Sequence, residues 1–122
     1  MRVILNNNAL KISDITLSAE GIISDVAVLR DIRPSYAKDG EGNRTDVIEC
    51  IRYDCVDPNN YATFTIKVES TRPIMSKEDL EASEDAIYIS IPVKETLIKP
   101  YKIEYGKAEV SIVAPYVKVT EN

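Results

Sequence analysis

The chain has 122 residues, 44% of them hydrophobic and 29% charged, with a formal net charge of −5. That length suits one compact domain over 1–122, and the apolar fraction supports a real core, which excludes disorder for the bulk of the chain. No apolar run approaches the ~20 residues that cross a bilayer, and "MRVILNNNALK" is not a secretory leader, so the expectation is a cytoplasmic protein with no membrane partner.

In chain order, "RVIL" and "ALKI" flank three asparagines, residues that tolerate left-handed backbone, and this predicts a hairpin within an N-terminal extension over 1–23. "DVAVLRDIR" at 25–33 and "TDVIECIRYDCV" at 45–56 read as strands joined by the charged turn "KDGEGNR". In the second, Val47, Glu49, Ile51 and Tyr53 face one way and Ile48, Cys50, Arg52 and Asp54 the other, so both faces are mixed, which suggests a coiled strand serving two layers or a bulge near Cys50. After the tight turn "DPNN", residues 61–69 alternate cleanly, with Ala62, Phe64, Ile66 and Val68 inward and Tyr61, Thr63, Thr65 and Lys67 in water. "MSKEDLEASED" predicts a short helix with Ser76 as N-cap and acids in the first turn. A strand follows at 86–93, with Ile87, Ile89, Ile91 and Val93 on one face. An extended run then goes from Tyr101 to Val119, with Gly106 as a bend or bulge.

Five strands with one short helix between the third and fourth is the layout of a mainly β, five-stranded, OB-like Greek-key barrel. A β-sandwich fragment matches the strand count but does not predict a lone helix at that place.

Catalytic signatures are missing. There is no histidine, no nucleophile elbow and no phosphate-binding loop, and acid pairs such as Asp54/Asp57 and Glu78/Asp79 are expected by chance among 20 acids. Neither a metal nor another cofactor is called for. Cys50 and Cys55 stand five apart, which puts them on opposite faces of a strand, so two buried reduced thiols are expected.

What remains is a cluster around one loop: Arg30, Arg33, Tyr36, Lys38, Arg44, Arg52 and Tyr53, extended on the third strand by Tyr61 and Lys67. A hairpin tip kept soluble by its charges accounts for the glycines and some of the ions. In OB-folds, however, this loop and the second and third strands form a nucleic-acid groove, where cations track phosphates and rings stack on bases. Lys94, Lys99, Tyr101 and Lys102 would make the other wall. The net charge is a weak objection, because residues 77–85 hold five acids and one base while the remaining 113 residues are nearly neutral. The expectation is single-stranded DNA binding without strong sequence preference. Arg30, Arg33, Lys38, Arg44 and Lys67 would sit on phosphates, and Tyr36, Tyr53 and Tyr61 on bases. The alternative is a non-enzymatic interaction or assembly module of a phage or plasmid, recruiting its partner by an edge strand or the acidic helix.

"VAVLRDIR", the Gly-containing charged turn, "IRYD", "FTIKV" and the closing "EVSIVAPYVKV" resemble, from about Ser24 to Val119, the single-strand-binding-like accessory proteins of Gram-positive conjugative elements. That resemblance implies an OB-fold, single-stranded DNA as ligand, no enzymatic activity and a role beside a helicase or relaxase complex; a homo-oligomer is compatible with the sequence, which does not give the oligomeric state. By position it points to Arg30 and Arg33, the 38–44 loop, and Arg52 and Tyr53. The acidic insert at 77–85 and the N-terminal hairpin depart from it, and a phage-encoded single-strand-binding protein would read almost the same way.

Overall fold

The computed structural model describes Ile4–Leu5, Asn8–Ala9 and residues 15–120. β1 (Ile4–Leu5) and β2 (Asn8–Ala9) pair antiparallel, the ladder expected of an N-terminal hairpin. β3 (Leu17–Ser18) follows, then two long strands, β4 (Val26–Lys38) and β5 (Arg44–Val56). β6 (Thr63–Val68) leads to the helix α1 (Lys77–Ala82), and after it come β7 (Ile87–Ser90), β8 (Leu97–Glu104), β9 (Lys107–Ala114) and β10 (Lys118–Val119). The chain is mainly β, and no helix among the described residues is long and apolar enough to cross a membrane.

Eight of the strands form one open sheet in the order β10-β7-β4-β5-β6-β9-β8-β3, in place of the five strands expected. Pairing is antiparallel throughout except between β6 and β9, where Ile66 faces Ile112 in parallel register. The three added strands are the short β3 and β10 and the second strand of a hairpin, because the run from Tyr101 to Val119 is not a single strand. It reverses once, at Tyr105–Gly106, so Gly106 lies in a hairpin turn and is not a bulge, and after Ala114 it continues in the same sense to β10.

The inward face follows the alternation. Ile66, Val68, Ile89, Ile91, Ile112 and Ala114 are buried with Ala27, Leu29, Ile32, Ile51, Tyr53 and Cys55 in one cluster. Ile51 and Tyr53 go in and Arg52 and Asp54 go out, as parity on β5 requires. Two irregularities in the β4–β5 ladder matter here. Between Ser35/Cys50 and Tyr36/Ile48 the extra residue is Glu49, a bulge beside Cys50 and one of the two explanations the mixed faces suggested. Between Leu29/Cys55 and Asp31/Asp54 the extra residue is Arg30, which is thereby turned out to solvent.

α1 starts as its sequence predicts. The Ser76 hydroxyl accepts the Asp79 N–H at 3.0 Å, with Glu78 and Asp79 in the first turn. Leu80 packs on the edge of the core. Just upstream, the Ile74 N–H donates to the Tyr53 hydroxyl at 3.1 Å, which fixes the approach to the helix against β5. Both cysteines are free and buried, and burial pushes the Cys55 thiol up to about 12, so it is not a nucleophile at neutral pH.

A candidate nucleic-acid interface

The outer face of β4, β5 and β6 carries a row of cations in register. Arg33 lies opposite Arg52, and Arg52 lies opposite Lys67. Adjacent strands are ~4.8 Å apart, so three positive side chains leave the sheet within ~10 Å. Like charges directly across strands weaken a sheet. Arg33 is compensated within the fold by Asp54, which leaves Arg52 and Lys67 as like charges directly across the strands. Tyr101 from β8, 62% exposed, lines the same groove of about 480 Å³, with Thr65 and Ser111 on its floor.

Asp54 organises the row from one side. It accepts from Arg33 Nε and Nη2, both at 2.8 Å, and from the Thr65 hydroxyl at 2.6 Å. The Arg33 hydrogen bonds, then that of Thr65 and the charges of Arg33 and Arg52, hold its carboxyl below the usual range, while Asp54 raises Arg33 in turn. Arg33 is thus held in a planar fork with a donor face still in water, its side chain 50% exposed. Among the described residues, Arg52 and Lys67 make no ion pair.

Arg33 joins the groove to the β4–β5 arm. On its other side a second depression is lined by Tyr36, Lys38, Arg44 and Lys77. Lys38 and Arg44 are cross-strand partners at the arm's end, and the Arg44 guanidinium stacks 4.1 Å above the Tyr36 ring. The tip is closed by Asp39, whose carboxylate accepts the Glu41 and Asn43 N–H groups at 2.9 Å each and whose own pKa is lowered by those bonds. Gly42, at φ 84, supplies the left-handed step. Arg33 lines both depressions, while alternation sends Tyr36 and Lys38 to the opposite face of β4, so the row Arg33–Arg52–Lys67 with Tyr101 meets the arm's cations around the edge of β4 that β7 leaves uncovered.

Three expected site residues are placed elsewhere. Tyr53 is 1% exposed and packs in the core, so its ring is closed to any ligand. It neighbours Arg52 on the strand, and adjacent strand residues cannot serve one face. Tyr61 belongs to the turn before β6 and not to the strand. It has φ 60, is 79% exposed, and lies at the opposite end of β5 from Arg44. Arg30 is exposed on its bulge but opens into a separate depression where Asp31, Asp54 and Glu81 outnumber Arg30 and Lys77, a poor setting for a phosphate. Of the residues expected as the other wall, Lys99, Tyr101 and Lys102 lie on β8, and Tyr101 lines the groove.

Asp54 and Lys77 were not among the expected site residues. Asp54 was legible as the next outward position after Arg52. Lys77 was hidden in the acidic segment, but its ammonium reaches back to Asp31, 3.5 Å away. No protein-family model, curated protein or solved structure matches the chain.

Proposed function

We propose that the chain binds single-stranded DNA across the outer face of β4–β5–β6, with little sequence preference and no catalysis, as an accessory protein of a conjugative element, plasmid or phage. The carrying observation is the Arg33–Arg52–Lys67 row with Tyr101 in the same groove, which Arg33 joins at the edge of β4 to the depression of Tyr36, Lys38 and Arg44. Arginines and lysines in a strip neutralise backbone phosphates, and rings beside them accept bases whose stacking does not depend on sequence. A duplex offers no free base faces to those rings, which favours the single strand.

In this reading β4, β5, β6, β7 and β9 are the five strands of an OB-like barrel. β4 pairs with both β5 and β7, and β6 runs parallel to β9, the connectivity such a barrel uses. α1 then falls between the third and fourth barrel strands in chain order. The β8–β9 ribbon is an elaboration of the last connection. The mobile-element role and a helicase or relaxase complex as partner rest on the resemblance stated above, and cytoplasmic work follows from them.

The test is binding of a fluorescent oligonucleotide across a salt series. Single-strand binding loses about 0.7 in log K per decade of salt for each phosphate contacted, so engagement of four or five cations gives a slope of about −3. Arg52→Ala and Lys67→Ala should each reduce that slope by about 0.7. A flat salt profile, or no binding at low salt, removes the proposal. Parallel titrations with duplex DNA and with RNA of the same sequence set the preference among nucleic acids.

A further inference from the structure

Beyond the sheet proper, β8 and β9 continue as a ribbon of their own. β3 covers β8 only at Leu17↔Ile98 and Ser18↔Leu97, and β6 covers β9 only from Ile112 to Ala114. Among the described residues, the segment 99–111 therefore pairs only with itself. Between Tyr101 and Val110 every side chain described is exposed. A two-stranded ribbon without cover is marginal in water, so this one invites a partner.

Its turn carries a further sign. Glu104 pairs with Lys107, which leaves a two-residue loop of Tyr105 (φ 52) and Gly106 (φ 76). Two positive φ values in succession suit Asn-Gly, and a bulky residue in the first place is disfavoured. Tyr105 is nonetheless there, 99% exposed and packed on nothing. Such strain is kept where the ring has work outside the fold.

The charges state what the partner is. Cross-strand partners share a face, and Lys102 faces Glu109 while Glu104 faces Lys107. With alternation along each strand, these four make a two-by-two checkerboard of opposite signs, net zero, and so a poor match for a polyanion. Within the chain they bring little: Lys102 Nζ lies 3.5 Å from Glu104 Oε2, with both side chains more than half exposed. Turned over onto a copy of itself about an axis along the ribbon, the checkerboard fits. Lys102 then lies over the partner's Glu109, Glu104 lies over the partner's Lys107, and Tyr105 lies over the partner's Gly106, where no Cβ obstructs the ring.

We propose that this ribbon is a self-association surface and that two copies of the chain stack their β8–β9 tips face to face. The contact is isologous and closes at the dimer. It does not depend on whether the chain binds nucleic acid.

Sedimentation equilibrium at low salt, without nucleic acid, tests it. Wild-type chain should dimerise with rising concentration, and the dimer should weaken as salt screens the exposed pairs. Lys102→Glu with Lys107→Glu gives an all-acidic tip, and Glu104→Lys with Glu109→Lys an all-basic one. Each alone should stay monomeric where the wild type dimerises, and an equimolar mixture should recover a heterodimer. Tyr105→Asn, which suits the left-handed position, should weaken the dimer at least several-fold with an unchanged or higher melting temperature, and it serves also if a charge variant misfolds. A wild type that remains monomeric at every concentration, a dimer that survives both charge reversals, a mixture that does not associate, or a Tyr105→Asn dimer of wild-type strength each overturns the proposal.

Discussion

Tyr53 and Tyr61 have the same side chain and opposite surroundings, and substitution should separate them. Tyr53 fills the core and its hydroxyl accepts the Ile74 N–H, so Tyr53→Phe removes a largely buried hydrogen bond and leaves the ring volume. The expected cost is about 1 kcal/mol of stability, read as a lower urea midpoint, with oligonucleotide affinity unchanged. Tyr61 packs on nothing and holds a left-handed backbone that asparagine adopts more readily. Tyr61→Asn should leave the midpoint in place or raise it. Because Tyr61 lies in the turn at the far end of β5 from the arm and lines neither depression, oligonucleotide affinity should also stay unchanged. Equal loss of stability and affinity in either variant would contradict the division. The sequence already held the clue for Tyr53: its neighbours on β5 alternate, Arg52 is the wet residue, and so the tyrosine beside it is the dry one.

At the scale of elements, period-two patterning located β4 to β7 and their buried faces, because Ile66, Val68, Ile89 and Ile91 lie on faces that are apolar at every second residue. It failed at the β8–β9 hairpin for a physical reason. A two-residue turn shifts parity by one, but the extra residue Tyr101 in the β8–β9 ladder shifts it back, so Ile98, Val110 and Ile112 keep one parity as if no reversal occurred, and tyrosine in place of asparagine removes the turn's usual signature. The cation row was legible only in part. Arg33, Arg52 and Lys67 could be placed outward on their own strands, but their lining up opposite one another depends on register, and the register of β4 against β5 is set by bulges at Arg30 and Glu49. The helix was legible because its start is encoded locally. Its six residues bury no side chain completely, so it depends on its cap more than most helices do. Ser76→Ala should cost about 1 kcal/mol. Hydrogen exchange should show the loss concentrated at Asp79 and Leu80, with the β4–β5 ladder protected as before. Equal deprotection throughout would mean the helix and sheet unfold as one unit.

For the whole molecule the charges pull in two directions. The net charge of −5 repels a polyanion at a distance, while the Arg33–Arg52–Lys67 row and the arm attract it on contact. The repulsion comes largely from residues 77–85, and it can be lifted without touching the helix start by neutralising Glu81, Glu84 and Asp85, which lie beyond the first turn. Glu81→Gln, Glu84→Gln and Asp85→Asn together should tighten oligonucleotide binding several-fold at low salt, mainly through faster association. The gain should shrink as the Debye length falls toward ~8 Å near physiological ionic strength. The cations on the row are untouched, so variant and wild type should converge at high salt. A weaker complex at low salt would mean that these acids contact the ligand themselves. The bound species would then be something other than a phosphate chain lying across β4, β5 and β6.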